Sequence, residues 1–318
     1  MRTYCGEMIP TERFPRCTNI DVFITAYCYE DRVVESTKRI TELFKIGRVY
    51  TFEYNVDDYL HADAVKTWQR NKAEMERILK LAGIALEEIN CKHDDIMELY
   101  RLNKIIHVKE KILIDITGFT KNYILGLARL FDRPGTLFFY TRGEYRTPTP
   151  QELNISIRKV EILPGFEGFT RLDRKDLVVL ILGYEGHRAL AFLNKFDVEP
   201  VYAIMGIPFE SEERNRQYIN NIRKANNALL NVHRVFLSKE YTHSLEPFLF
   251  AEDLERIIKT FPLIEQYNVC ISCLGTKLQT LGLYLYWKKN QCQILYSVPN
   301  KRFDIVQGVG QSWVIRLT

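Results

Sequence analysis

The stretch ILIDITGFTKNYILGLARLFDRPGTLFFY, residues Ile112–Tyr140, is the most informative about the architecture, because a related stretch occurs again later in the chain. The second copy is VCISCLGTKLQTLGLYLYWKKNQCQILY, residues Val269–Tyr296. Each copy begins with an apolar run of the buried-strand type, breaks at a small polar loop and continues with helical periodicity. At a constant offset of 156 residues the copies share the identical pairs Thr120/Thr276, Lys121/Lys277, Leu125/Leu281, Gly126/Gly282, Leu127/Leu283 and Tyr140/Tyr296.

A second pair of segments repeats earlier in each half. DVFITAYCYEDR, residues Asp21–Arg32, resembles DLVVLILGYEGHR, residues Asp176–Arg188. At an offset of 155 residues the shared pairs are Asp21/Asp176, Tyr29/Tyr184 and Glu30/Glu185. Because two matches occur in the same order at nearly the same offset, the sequence indicates an internal duplication.

Strands that alternate with helices at this spacing predict an α/β fold of two tandem Rossmann-like halves, each with a mostly parallel sheet. In the first half, the apolar residues that follow Arg32 have helical spacing, and Arg48–Tyr54 is rich in β-branched and aromatic residues. A strand, a helix and a second parallel strand are therefore expected. Ligands of such sheets bind at the carboxyl ends of the strands.

The boundary between the halves is predicted near residue 150. The segment Thr141–Asn154 is polar and contains Pro148 and Pro150, as linkers often do. The first Rossmann-like half then covers residues 1–150 with a helical insert at 61–108, and the second covers 151–318 with a helical insert at 211–262. Ile155–Leu163 and Ser312–Leu317 are each predicted to form a strand.

Composition narrows the class of protein. Of the 318 residues, 46% are apolar and 26% charged, which is typical of a globular protein with a substantial core. A net charge of +4 is too small for a surface that coats a polyanion, so no direct binding of nucleic acid is expected and any anion site must be local. The seven cysteines lack disulfide spacing and no secretory segment precedes them, which favours the cytoplasm. No apolar run approaches the ~20 residues that span a membrane.

The strongest chemical signal is a pair of loops, TGFTK at Thr117–Lys121 and LGTK at Leu274–Lys277. Glycine permits a tight backbone, the first amides of the following helix point outward, and Thr and Lys add a hydroxyl and a cation. This combination suits a phosphate, although neither loop is a P-loop or a GxGxxG motif. The alternative is that Thr caps the helix and Lys is solvated. The candidate ligand-binding residues are Thr117, Gly118, Thr120, Lys121, Gly275, Thr276 and Lys277.

Two further loops add charged groups at the same sheet edge. Glu30 with Arg32, and Glu185 with Arg188, follow the first predicted strand of each half. The arginines are candidates to hold phosphate, and the carboxylates to accept hydrogen bonds from ribose or to act in acid/base catalysis. The alternative is that each Glu and Arg form an ordinary ion pair at the start of a helix.

The strand-DITGFTK-helix element resembles the TGGTK-type loop of CARF domains, which are Rossmann-like sensors of cyclic oligonucleotides in prokaryotic immunity. Two such units in tandem are similar to a SAVED arrangement. Phe119 replaces the second glycine of the family loop, and the second copy reads LGTK after Cys273. The resemblance implies a ligand in a cleft between the halves, and an effector that is a separate protein, because the two halves use up this chain. The residues that would face this ligand are Thr117, Thr120, Lys121, Thr276 and Lys277.

No metal or other cofactor is predicted. Cys270-Ile-Ser-Cys273 is a lone CxxC on a predicted strand, where residues three apart point to opposite faces. The six histidines show no ligand spacing, and no serine sits in a GxSxG turn.

Three functions remain open. The leading hypothesis is a regulatory subunit of a defence-type system that binds a nucleotide or cyclic oligonucleotide as a sensor. The second is a nucleotide hydrolase or lyase that uses Glu30 or Glu185 with the same loops. The third is a noncatalytic assembly subunit.

Overall fold

The computed structural model describes residues 3–56, 60–145, 157–196, 198–300 and 306–317. The chain forms two compact units. We call Cys5–Pro148 together with Lys301–Thr318 the first unit, and Met1–Tyr4 together with Thr149–Asn300 the second unit. The boundary predicted near residue 150 lies outside the described residues and stays a prediction.

The first unit is built on one large sheet whose central strands alternate with helices. Its strands, labelled in chain order, are β1 (Gly6–Pro10), β2 (Thr18–Ala26), β3 (Phe44–Tyr54), β4 (Ala85–Cys91), β5 (Ile112–Asp115), β6 (Thr136–Thr141), β7 (Glu144–Tyr145), β14 (Val306–Gln307) and β15 (Ser312–Leu317). Its helices are α1 (Arg32–Leu43), α2 (Ala62–Leu81), α3 (Met97–Ile105) and α4 (Lys121–Phe131). The strand order is β1-β15-β6-β5-β2-β3-β4, and β7 pairs with β14 in a separate ribbon.

Burial explains why these segments become parallel strands. In β5 every residue is buried, and β2 is buried from Val22 onward. A strand covered by helices on both faces needs an almost continuous apolar run rather than alternation. The helix α1 is amphipathic, and it buries Ile40 and Leu43 against Phe23 and Val49 of the sheet. The core of this unit therefore lies between the sheet and its helices.

The second unit has its own sheet. Its strands are β8 (Ile157–Ile162), β9 (Lys175–Leu182), β10 (Val201–Ile207), β11 (Val235–His243), β12 (Tyr267–Cys273) and β13 (Gln293–Pro299). Its helices are α5 (Gly186–Lys195), α6 (Glu212–Ala225), α7 (Asn227–Leu230), α8 (Pro247–Lys259) and α9 (Lys277–Asn290). The strand order is β11-β10-β9-β12-β13-β8.

The two sheets share one topology. The parallel strands run in the order β6-β5-β2-β3-β4 in the first unit and β13-β12-β9-β10-β11 in the second. In chain order both sheets read fifth, fourth, first, second, third. An antiparallel strand flanks the fifth strand in each case, β15 beside β6 and β8 beside β13. The predicted α/β class with mostly parallel sheets is confirmed, and the repeated topology matches the repeated sequence.

The two predicted helical inserts are not wholly helical. Each contains the third parallel strand of its sheet, β4 with sequence ALEEINC and β11 with sequence VFLSKEYTH. Both are edge strands, since each ends the order of its sheet. Edge strands carry charged side chains and remain partly exposed, so they lack the apolar run that marks a central strand. This polarity made them resemble parts of a polar helix.

The C-terminal strand joins the first unit rather than the second half to which the sequence assigned it. β15 pairs antiparallel with β6, with Val314 opposite Phe139, and β1 pairs with its other edge. The pairing buries Val314 and Ile315.

Among the described residues, no helix combines the length and the apolar character that crossing a membrane requires.

Tyr4 belongs to the second unit and contacts its helix α8. It is buried, and its hydroxyl donates to Glu255 Oε2 on α8 at 2.7 Å. Asn290 Nδ2 donates to the same hydroxyl at 3.3 Å, and Lys289 Nζ lies 5.5 Å from the centre of the ring. The Glu255 carboxylate also accepts from Lys259 and Lys289 at 2.7 and 2.8 Å.

This cluster makes stability depend on pH. Burial raises the pKa of Glu255, but hydrogen bonds from Lys259, Lys289 and Tyr4 lower it by more, to about 2 against an ordinary 4.5. The carboxylate therefore stabilises the fold fully above pH 4.5, and this contribution is lost as the pH falls toward 2. The lysines are largely exposed, so solvent screening limits the contribution to about 1–2 kcal/mol.

We expect Glu255→Gln to be destabilised by about 1–2 kcal/mol in denaturant unfolding at neutral pH. The difference from the native protein should shrink in acid, because protonated Glu and Gln are both neutral. A difference that stays constant from neutral pH into acid would contradict the assigned cause.

Candidate functional site

Both Thr-Lys loops lie where the sequence predicted them, at the carboxyl ends of equivalent strands. TGFTK connects β5 to α4, and LGTK connects β12 to α9. In each unit the loop follows the fourth parallel strand. This is the sheet edge where ligands of such folds bind.

Thr117 and Gly118 fix the backbone of the first loop. Asp115 at the end of β5 is fully buried, and it accepts from Ser36 Oγ at 2.6 Å and from the Thr117 amide at 2.9 Å. The Thr117 hydroxyl accepts from the amide of Thr141 at 2.9 Å. A Cβ at position 118 would clash with the carbonyl oxygen of Ala26, so only glycine fits there. Thr117 therefore braces the loop, and its predicted role toward a ligand stays a prediction.

Phe119, the departure from the family loop, belongs to the core. It is 1% exposed and stacks on Tyr123 of α4, with ring centres 6.0 Å apart. Its ring also meets Phe52 edge-on at 5.5 Å. The residue thus anchors the loop through packing, where a glycine would leave a cavity.

The first turn of α4 holds donors and a cation. Thr120 is the N-cap residue, but its side chain caps no amide of the helix, and its nearest partner is Tyr54 Oη at 3.4 Å. Lys121 follows as the first helical residue and is 9% exposed. The amides of Asn122 and Tyr123, both on fully buried residues, meet no acceptor within the described parts of the chain. Buried amides without acceptors at a helix start are rare and favour an anion.

The second loop is capped differently. The Thr276 hydroxyl accepts from the Gln279 amide at 3.1 Å and donates to the Ser244 carbonyl at 2.6 Å. Gln279 Oε1 accepts in return from the Thr276 amide at 2.8 Å, which completes a capping box. For Thr276 the capping alternative is therefore realised. Gly275 leaves room for the Gln279 side chain, and Lys277 is half-buried at the first helical position.

The two helix starts share a charge pattern. Neither α4 nor α9 has an acidic residue in its first turn, and each begins with a lysine. By contrast α6 places Glu212 and Glu213 there, as the positive end of the helix dipole favours. A lysine at the first helical position adds to the positive potential of the helix N-terminus, whereas an acidic residue would balance it. Both loops therefore concentrate positive charge at the carboxyl edge of a sheet.

Arg32 joins the first and fifth parallel strands of the first unit. It is 3% exposed, and its Nε donates to Glu30 Oε2 at 2.7 Å. Its Nη1 donates to the Tyr140 hydroxyl at 3.0 Å and to the Thr141 carbonyl at 2.9 Å. The guanidinium thus links the loop after β2 to the end of β6.

Arg188 repeats this arrangement in the second unit. It is 1% exposed and donates to Glu185 Oε2 at 2.6 Å and to the Ser297 hydroxyl at 3.0 Å. It also donates to the Ser297 carbonyl and lies 5.8 Å from the ring centre of Tyr296. The ordinary ion-pair alternative is thus realised in both units. The ligand-binding role of Arg32 and Arg188, and the catalytic role of Glu30 and Glu185, stay predictions.

A histidine–carboxylate pair that was not predicted from the sequence lies at the same edge of the second sheet. His243 ends β11, and its Nδ1 lies 2.6 Å from Asp253 Oδ2 on α8. The imidazole stacks on Phe209, with ring centres 4.1 Å apart. His243 and Asp253 lie ten positions apart and match no known motif, so only the strand-to-helix turn brings them together. The sequence offered no signal for the pair, because the residues of β11 were predicted to belong to a helical insert.

The CxxC cysteines are buried thiols. Cys270 Sγ lies 3.2 Å from Gln293 Oε1, and burial raises the pKa of the Cys270 thiol to about 12.

Comparison with known proteins does not assign the chain to a family. No protein-family model matches the chain, and no curated protein matches it. Among solved structures, a type III CRISPR defence DNA nuclease activated by cyclic oligoadenylate matches at 13% identity with a TM-score of 0.49, over 85% of this chain and 64% of the nuclease. A universal stress protein from Pseudomonas aeruginosa UCBPP-PA14 matches at 10% identity with a TM-score of 0.29, over 88% and 94% of the two chains. At these scores neither likeness bears on function, and the chain spans less than two thirds of the nuclease.

Proposed function

We propose that this protein binds a phosphorylated small molecule of the nucleotide class through its two Thr-Lys loops. The observation that carries the proposal is the shared start of α4 and α9, with a threonine N-cap, a lysine at the first helical position and no acidic residue in the first turn. A phosphate placed there meets the helix dipole, outward amides and an ammonium group together.

The two loops contribute in different ways. The α4 loop offers the amides of Asn122 and Tyr123, which lack acceptors among the described residues, but its lysine is buried. In the α9 loop, the side chains and amides of Thr276 and Gln279 already bond to each other in the capping box. Gly275, Thr276 and Lys277 are nevertheless half-exposed. Ligand therefore reaches the α9 loop from solvent directly, whereas binding at the α4 loop requires a local opening.

The test is calorimetric titration of the full chain with a panel of ATP, cyclic dinucleotides and cyclic oligoadenylates. The CARF resemblance places the last of these in the panel. We expect at least one nucleotide to bind. Lys121→Ala should weaken binding at the α4 loop, and Lys277→Ala binding at the α9 loop, about tenfold or more, because each removes a charge-assisted phosphate contact.

Two exposed lysines, one on each unit, serve as controls. Lys38→Ala on α1 and Lys224→Ala on α6 remove the same charge from other positions of the same units. These variants should bind within about twofold of the native protein, since their charges are screened by solvent. Equal affinity in the native protein and both loop variants would remove the loops from the site.

The same proposal includes a regulatory role in a defence-type system. In this role the ligand-bound state of the protein is signalled to a separate effector protein, as the CARF resemblance implies. Purification of the protein with and without the bound nucleotide, followed by mass spectrometry, should yield a partner whose retention depends on the ligand. Retention that is the same in both states would contradict the sensor role and favour an assembly subunit.

A further inference from the structure

The pair His243 and Asp253 has the geometry of a proton-transfer centre. A carboxylate only accepts hydrogen bonds, so the imidazole nitrogen that faces Asp253 Oδ2 at 2.6 Å, Nδ1, carries the hydrogen. In the neutral ring this leaves Nε2 as the acceptor with its lone pair available. Within the described residues Nε2 contacts no hydrogen-bond partner, and the His243 side chain is 25% exposed.

Several contacts hold the imidazole in one orientation. The same Asp253 oxygen accepts from the His243 amide at 3.0 Å, so backbone and ring are fixed together. The second Asp253 oxygen accepts from Arg256 at 3.1 Å, and Arg256 also pairs with Glu240. Phe209 covers one face of the ring and is itself 46% exposed. The charged groups recorded around the pair are thus Asp253, Arg256 and Glu240.

The pair adjoins the loop proposed to bind phosphate. Ser244 follows His243 directly, and its carbonyl accepts from the Thr276 hydroxyl at 2.6 Å. The Ser244 hydroxyl is buried and meets no partner among the described residues. Buried hydroxyls normally have a partner, so an unsatisfied one between a histidine and a helix start points to a bound water or ligand.

We propose that His243 is the general base of a phosphodiesterase activity at the α9 loop, with Asp253 as its positioning residue. The inference rests on the proposed function, because the α9 loop is to hold the phosphate. No side-chain hydroxyl of the described residues bonds to Nε2, so water is the nucleophile. The water oxygen forms a bond to phosphorus while its proton passes to Nε2. The ester P–O bond breaks, and the imidazolium returns the proton to the departing alcohol oxygen, which leaves a phosphomonoester and an alcohol.

The test uses bis(p-nitrophenyl) phosphate with the full chain. This diester has no ribose hydroxyl, so its cleavage reports attack by water, and its aromatic ring suits the exposed face of Phe209. We expect the native protein to release p-nitrophenol, and His243→Ala to lower kcat about 100-fold or more. Added imidazole should restore part of the lost rate, which a purely structural role of His243 would not allow.

Two further variants separate the roles. Asp253→Asn should lower kcat while leaving KM unchanged, because it disturbs the tautomer and orientation of His243 rather than substrate binding. His233→Ala removes an exposed histidine two residues before the start of the same strand, and it should behave as the native protein.

The outcomes distinguish this inference from the proposed function. Absence of turnover in the native protein, or full turnover in His243→Ala, would overturn the inference. If nucleotides still bind in a Lys277-dependent way, the proposed function stands without it. Turnover that needs His243 and is indifferent to Lys277→Ala would support the catalytic pair and overturn the loop as the phosphate site.

Discussion

Arg32→Ala is expected to lower the free energy of unfolding by about 3–5 kcal/mol, one of the two largest effects we predict. The substitution leaves the Glu30 carboxylate, only 7% exposed, without the guanidinium that donates to it at 2.7 Å. It also removes the donor to the Thr141 carbonyl, which ties the loop after β2 to the end of β6. Chemical denaturation followed by circular dichroism measures the loss.

Two controls isolate the buried charge as the cause. Arg39→Ala removes an arginine of the same helix whose side chain is 27% exposed, pairs with Glu35 and donates to the Gly310 carbonyl and the Ser312 hydroxyl. It leaves no buried charge behind, because Glu35 is 33% exposed, so it should cost less than Arg32→Ala. The double variant Arg32→Met/Glu30→Met removes both charges together, and it should recover a large part of the stability. If the double variant is as unstable as Arg32→Ala, the uncompensated carboxylate is not the origin of the effect.

Phe119→Ala should destabilise the protein by about 3–5 kcal/mol, because it opens a cavity in a closely packed core. The ring is 1% exposed and lies between Tyr123 and Phe52. Phe169→Ala is the matched control, since Phe169 is 82% exposed and should lose little. Thermal and denaturant unfolding of both variants measures the difference.

A milder substitution keeps this prediction testable if Phe119→Ala fails to fold. Phe119→Leu retains most of the apolar volume, and we expect it to lose about 1–3 kcal/mol. Stability equal to the native protein in both variants would mean that Phe119 does not anchor the loop.

The sequence predicted the two Thr-Lys loops and the parallel strands correctly because these features depend on local order. Central strands such as β5 and β9 are continuous apolar runs, and the repeat at a fixed offset marks equivalent positions. The edge strands β4 and β11 escaped prediction because an edge strand is polar and partly exposed. The place of β15 could not be predicted because pairing with a strand more than 150 residues away leaves no local signal.

The positions of the loop residues at the helix starts could be predicted for the same reason, while their role toward a ligand stays a prediction. Thr120, Lys121, Thr276 and Lys277 adjoin each other in sequence, and the structure places them at the helix starts as expected. Arg32 and Arg188 donate hydrogen bonds to backbone carbonyls more than 100 residues away, and such tertiary contacts could not be predicted from the sequence. The approach of Asp253 to His243 likewise depends on how α8 turns back from β11, which no spacing rule describes.

The most direct measurement is a structure of the protein with a bound nucleotide from the calorimetric panel. We predict a phosphate group at the start of α4 or α9, with its oxygens within hydrogen-bond reach of the first-turn amides and of Lys121 or Lys277. A nucleotide bound with its phosphates away from both helix starts and both lysines would contradict it.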